Sequence, residues 1–460
     1  MAALDLDVLN AIIVTFCPYC TPREYLSELT YRSAHCPPSY QGRDEEHRRI
    51  QALAALCLTS KQVGTLATRH LYHRPTATSW PLLARTLIER PDLARRVKHL
   101  NTRNWAGIPG MLDNSFPPEV ARHWSSKVAY PVEMWDSEDE DSEGEDGKYE
   151  DGEEGLSQAG NIALDIVVAL CPELEELDAV LDGGDAFALL EPGSLPRLRT
   201  VAVVGKWKLF GMCPVELWRL PTAAPNVHTL VGWQIGLSYR QIPLESITHL
   251  RLGSSCLQID SLRHTLMCFP QLESFEFRAG YISAGGVQFT PLEAQEVLAE
   301  LAPRLKGLVL NFDDAASSFE ILGADWVLRS LAGLTELRRL EVDTRCIVPH
   351  MNPAQWRGRG MQLDSDPGPV PGVGDGALVE LLPESIRELK ITRGDRGPEF
   401  VKLRAALAGL AAAARQFPAL KEVLVEGSLD GADAVKEAFK ARGVLLVVPA
   451  VMESADDPLA

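Results

Sequence analysis

The feature that most constrains this chain is a phrase repeated along its C-terminal two thirds, Pro-x-Leu-x-x-Leu-x-Leu or its apolar equivalent. It reads Pro172-Glu-Leu-Glu-Glu-Leu, Pro196-Arg-Leu-Arg-Thr-Val-Ala-Val, Pro225-Asn-Val-His-Thr-Leu, Pro270-Gln-Leu-Glu-Ser-Phe-Glu-Phe, Pro303-Arg-Leu-Lys-Gly-Leu-Val-Leu and Pro418-Ala-Leu-Lys-Glu-Val-Leu-Val. Ile247-Thr-His-Leu-Arg-Leu, Leu337-Arg-Arg-Leu-Glu-Val and Ile386-Arg-Glu-Leu-Lys-Ile match without the proline. The nine copies are spaced by 20 to 49 residues. Apolar residues alternate at the end of each copy, as in a short strand with one buried face. The residues between copies leave room for a return helix, and 294–301 and 400–415 have that composition. A proline ahead of the strand stops the helix without removing a ladder donor.

This pattern resembles the leucine-rich repeat, which implies an α/β solenoid of irregular period over residues 157–451, followed by a tail at 452–460. Leu93-Ala-Arg-Arg-Val-Lys-His-Leu reads as an earlier copy, with residues 76–104 serving as a connecting helix and first repeat. Residues 105–156 then form an insertion. Within it, positions 136–154 hold twelve acids against the single Lys148, and the chain's net charge is −18. Such a run cannot bury enough apolar surface to offset the entropy of ordering, so 136–155 is expected to be a solvated spacer. Ser137 and Ser142, with Glu140 and Glu145 three residues on, fit the pattern of acidophilic kinases. The widest gap, with six glycines between Gly358 and Gly376, reads as a long loop.

Before the repeats, residues 1–75 read as helices. Val8, Leu9, Ile12 and Ile13 form one apolar face, and Ile50, Leu53, Ala54 and Cys57 a second. A third helix follows Thr59 or Ser60 as N-cap, with Val63, Leu66, Ala67, His70 and Leu71 on its apolar side, and ends by Pro75. A fourth is expected from Trp80 to Glu89, before Pro91.

Catalytic signatures are missing: there is no Gly-x-Ser-x-Gly, no His-Glu-x-x-His and no phosphate loop, so the chain is not expected to be an enzyme. The acidic balance argues against nucleic-acid or polybasic membrane binding. Nine scattered cysteines, the lack of a signal peptide and the absence of a spanning apolar run predict a cytoplasmic or nuclear protein. Cys17-Pro-Tyr-Cys20 is the sharpest local string. It resembles the glutaredoxin redox motif, although the strands of that fold do not follow, and a helix end with a turn is the alternative reading. Cys17, Cys20, His35 and Cys36 together contain the donors of a Cys3His zinc set, but adjacent His35 and Cys36 diverge. No metal or cofactor is therefore expected.

Leu6-Asp-Val-Leu-Asn-Ala-Ile-Ile, Leu53-Ala-Ala-Leu-Cys-Leu-Thr-Ser-Lys-Gln-Val-Gly-Thr-Leu-Ala and Arg69-His-Leu-Tyr72, ahead of repeats, resemble the divergent F-box proteins of filamentous fungi. The resemblance implies the substrate-recognition subunit of an SCF-type cullin-RING ubiquitin ligase, its F-box on a Skp-type adaptor and its repeats on a substrate protein. Carried onto this chain, the adaptor-binding positions are Leu6, Val8, Leu9, Ile12, Leu56, Leu58, Leu66 and Leu71. Leu6-Asp7 stands where the family has Leu-Pro, and the segment 17–49 is longer than its usual link. A repeat scaffold without ligase recruitment is the alternative, and a thiol redox protein using Cys17 and Cys20 a second one. Between the buried strand positions, Arg251, Glu276, Glu341 and Lys390 are expected on the open face, with Arg278, Asp343 and Arg393 just beyond. Trp207, Trp233 and Tyr281 follow strands and are either rim anchors or core. Mixed charge on this surface suits a protein or peptide partner.

Overall fold

The computed structural model describes residues 6–20, 40–75, 80–102, 164–181, 184–205, 213–217, 219–237, 244–255, 257–279, 289–312, 327–348, 376–392, 399–426 and 432–448. The expectations for the acidic run with its two serines, for the loop after 349, and for His35, Cys36, Trp207, Tyr281 and Arg393 fall outside them. The chain divides into two compact units, Met1–Arg240 and Gln241–Ala460. Among the described residues no helix is long and apolar enough to cross a membrane.

The first unit opens with helices α1 (Leu6–Phe16), α2 (Tyr40–Cys57), α3 (Lys61–Leu71), α4 (Trp80–Glu89) and α5 (Pro91–Ala94). Ser60 caps α3 as its sequence suggests, its hydroxyl accepting from the Val63 N–H at 3.2 Å. Ile13, Cys17, Leu53 and Ala67 form the centre of the first three helices. Gly64 lets α3 approach the end of α2, because a Cβ there would lie 2.6 Å from the Cys57 carbonyl oxygen.

The parallel strands β1 (His99–Asn101) and β2 (Glu176–Leu181) pair next, with Leu100 opposite Leu177. A short helix α6 (164–169) precedes β2. In α6, buried Asp165 accepts from the Phe187 and Leu189 N–H groups; desolvation raises its carboxyl to about 7 against the pull of those bonds. The sequence predicts helical returns throughout, but here they are replaced by a second, smaller parallel sheet of β3 (Gly184–Asp185), β5 (Cys213–Glu216) and β7 (Ile235–Leu237). The main ladder continues through β4 (Thr200–Gly205) and β6 (Thr229–Trp233), with the four-residue helix α7 (Leu220–Ala223) between them. Between the copies of this unit, extended segments therefore form much of the second layer.

The second unit carries β8 (His249–Ser255), α8 (Ile259–Met267), β9 (Ser274–Ala279), α9 (Pro291–Leu301), β10 (Gly307–Asn311), β11 (Arg339–Asp343), α10 (Ala377–Leu381), β12 (Glu388–Thr392), α11 (Glu399–Ala412), β13 (Glu422–Val425), α12 (Ala432–Lys440) and β14 (Leu445–Val447). Its seven strands are parallel and neighbours in chain order. Return helices appear in this unit: α9 has a full capping box between Thr290 and Glu293, and α11 covers the stretch expected from 400. The last strand, β14, extends the ladder beyond the nine copies.

The repeat phrase acts as a register device. Its central apolar residues stand directly opposite one another: Leu177, Val201 and Leu230 in the first unit, and Leu250, Phe275, Leu308, Leu340, Leu389 and Val423 in the second. None of the nine is more than 1% exposed. A slip of one residue would turn each of them to the opposite face. The strand entries share one bond pattern: a carbonyl just before one strand accepts two successive N–H groups of the next, as Lys306 does from Arg338 and Arg339 at 2.8 and 3.0 Å. Phe277, Phe289 and Phe312 pack together behind β9 and β10, with centroids 4.6 to 5.7 Å apart.

Candidate functional site

Three sets of side chains are candidates: an exposed apolar set on the helices, a cluster of two cysteines and two histidines, and the charged open face of the second unit's sheet.

The eight positions carried over from the F-box resemblance separate into two groups. Leu9, Leu56, Leu66 and Leu71 are half-buried against the Ile13 and Leu53 core, where they hold the helices together. Leu6, Val8, Ile12 and Leu58 are 46%, 50%, 45% and 87% exposed. Uncovered side chains of this size each forgo roughly 1.5–3 kcal/mol of burial free energy. Val8 and Ile12, expected on the same apolar face as Ile13, therefore point away from this core.

The cysteine–histidine cluster is assembled by two turns. Cys17 follows the C-terminal end of α1, its N–H bonded to the Val14 carbonyl, and the next residues turn to bring Cys20 alongside. His70 lies in the last turn of α3, and His73 three residues on faces the same way. The Cys17 Sγ lies 3.6 Å from His73 Nδ1; Cys20 Sγ lies 3.5 Å from His70 Nδ1 and 3.3 Å from His73 Nδ1. The two rings meet edge to face, with centroids 4.9 Å apart. Cys17 is fully buried and the other three residues are half-buried. Neither sulfur is in a disulfide. The hydrogen bond from Cys20, then those involving His70 and His73, pull Cys17 well below the ordinary thiol range, although burial opposes this. Cys20 is pushed up by the same bond, by burial and by the Cys17 charge. Sequence alone puts His70 on the apolar face of its helix and points to His35 and Cys36 as the other zinc donors. The signal for the observed partners is the His-x-x-His spacing at the end of α3.

The cluster adjoins the start of the sheet. The His73 carbonyl accepts from both the Lys98 and His99 N–H groups at 2.9 Å, the same double bond by which each strand entry receives the next. The end of α3 thus takes the place of a preceding repeat at the first strand, giving the ladder edge a backbone partner. Tyr19 donates to Glu175 Oε2 at 2.6 Å, while Lys98 donates to Glu175 Oε1 at 2.8 Å. Burial opposes ionisation of Glu175, yet these two donors outweigh it and hold the carboxyl below its usual value. His99, buried on β1, lies 3.2 Å from an Asp178 oxygen.

On the open face of the second unit the predicted residues form a chain of alternating charge. Arg251 pairs with Glu276 at 3.4 Å, Arg278 with Glu276 and Glu341 at 2.7 and 3.2 Å, and Lys390 with Glu341 and Glu426 at 3.3 and 2.8 Å. Glu341 is only 5% exposed beneath its two cations. Burial works against the Lys390 ammonium, but the bond to Glu426 and the charge of Glu341 raise its pKa overall. Arg251, with 44% of its side chain exposed, is the most accessible of these three cations. Asp343, expected just beyond the strand, is the last residue of β11 and fully buried; it accepts from the N–H groups of Phe312, Arg345 and Cys346, tying β10 to the turn after β11. Trp233 ends β6 half-buried in the first unit.

A scan against protein-family models and a search of curated proteins find no match to this chain.

Proposed function

We propose that the chain is a non-catalytic substrate-recognition subunit of an SCF-type cullin-RING ubiquitin ligase. In this reading the N-terminal helices are an F-box that docks on a Skp-type adaptor, and the leucine-rich-repeat strands present the surface for a substrate protein. The observation that carries it is the outward set Leu6, Val8, Ile12 and Leu58, on helices already bonded to the first repeat strand through His73. A large apolar set beside a helical core fits a protein interface better than solvent. The alternating Arg251, Glu276, Arg278, Glu341, Lys390 and Glu426 fit a mixed-charge protein or peptide partner, with rim charges setting specificity more than affinity.

Co-expression of the full chain with a Skp-type adaptor, followed by gel filtration, tests this reading. A one-to-one complex is expected, and Leu58→Asp should abolish it without unfolding the chain, because that side chain is 87% exposed. Two separate peaks from a folded chain would leave a repeat scaffold without ligase recruitment as the function.

A further inference from the structure

We infer that Cys17, Cys20, His70 and His73 bind a zinc ion, forming a structural site that fastens the N-terminal helices to the first repeat strand. Two thiolates and two imidazoles are a closed zinc set, and their softness favours zinc over the oxygen-seeking magnesium or calcium. The four donor atoms lie within 4.8 Å of one another. The geometry is closer than that figure alone suggests. A tetrahedral zinc with bonds of about 2.3 Å to sulfur and about 2.0–2.1 Å to nitrogen has sulfur–nitrogen edges of roughly 3.5 Å. The three separations given above, 3.3, 3.5 and 3.6 Å, match that edge.

The surroundings support the same reading. Both histidines present Nδ1 to the sulfurs, while His70 Nε2 lies 3.4 Å from Asn10 Oδ1 on α1. A carbonyl acceptor on the distal nitrogen is the usual way a ligating imidazole is oriented and kept in one tautomer. Each pair is locally preset, Cys-x-x-Cys by a turn and His-x-x-His by a helix end. Four protein donors fill a tetrahedron and leave no open position, which distinguishes a structural site from a catalytic one.

A dithiol redox pair would have different needs. Its attacking thiol is activated at a helix N-terminus, whereas Cys17 follows the C-terminal end of α1, and it has no use for two converging imidazoles. The position explains what the metal does. The ligands come from the ends of α1 and α3, Tyr19 between the two cysteines reaches Glu175, and the His73 carbonyl is the first acceptor of the ladder. Zinc therefore locks the two helix ends that receive strand β1.

The full chain, purified in reductant without chelator, should carry one zinc by elemental mass spectrometry. Cobalt added to the stripped chain should give the visible bands of a tetrahedral ion together with thiolate charge transfer. Cys20→Ser and His73→Asn should reduce zinc to background, and Cys57→Ser and Cys171→Ser should leave it in place. Because loss of a ligand can unfold the helices, His70→Cys serves as the control: it keeps four donors and should retain one zinc. A metal-free reduced chain that gives no tetrahedral cobalt spectrum would overturn the proposal. So would full zinc occupancy in the Cys20→Ser, His73→Asn double variant, or a Cys17–Cys20 disulfide formed in the presence of zinc.

Discussion

The helices before residue 75 and the repeat strands after residue 98 treat their apolar side chains differently. The nine repeat copies bury their central residues to 1% exposure or less and, within each unit, set each against its counterpart in the next copy, while charges on the open face of the second unit pair with one another. Among the described residues, the first three helices share a centre of Ile13, Cys17, Leu53 and Ala67 and leave Leu6, Val8, Ile12 and Leu58 outside. The difference shows where each region obtains its stability. A stack of parallel repeats completes its own core by adding the next copy. A small helical group has too little interior for that; the His73 carbonyl ties it to a sheet edge, and the proposed zinc and adaptor would supply further contacts.

The strongest test of this contrast strikes the repeats. Phe277→Ala removes the ring that touches both Phe289 and Phe312, so it should lower stability by about 3–5 kcal/mol in urea unfolding. A loss below about 1 kcal/mol would mean that the second unit's core is not close-packed. An intermediate effect is expected in the helices. Gly64→Ala places a methyl 2.6 Å from the Cys57 carbonyl oxygen and must push α3 off α2, at about 1–3 kcal/mol. An unchanged melting temperature would refute that close approach. The smallest effect belongs to the outward set: Leu58→Asp should change stability by less than about 0.5 kcal/mol, because the leucine is 87% exposed. The same substitution at Leu308, fully buried in β10, should unfold the second unit.

Much of the repeat region was legible in the sequence because one phrase encodes both a buried face and a register. All nine central residues, from Leu177 to Val423, lie in strands, and the early copy ending at Leu100 does too. Helices α3 and α4 were equally legible from Ser60, Pro75 and Pro91. The small sheet around Cys213–Glu216 was not, because two- to four-residue strands leave too few positions for a period to register. β14 escaped for a related reason: Leu445-Leu-Val447 carries the apolar end of the phrase without its beginning. The candidate sites divide along the same line. Arg251, Arg278 and Lys390 follow from strand alternation, a local property. The partners of Cys17 and Cys20 lie about fifty residues downstream, brought there by the packing of α1 on α3, which no local pattern records.

The division between a self-completing repeat region and an outward-facing helical one is tested most directly by hydrogen exchange of the full chain with and without a Skp-type adaptor. Added protection is expected in peptides spanning Leu6–Phe16 and the Cys57–Ser60 turn, with the exchange of the repeat strands unchanged. Protection confined to the repeat strands, or none anywhere at saturating adaptor, would contradict it.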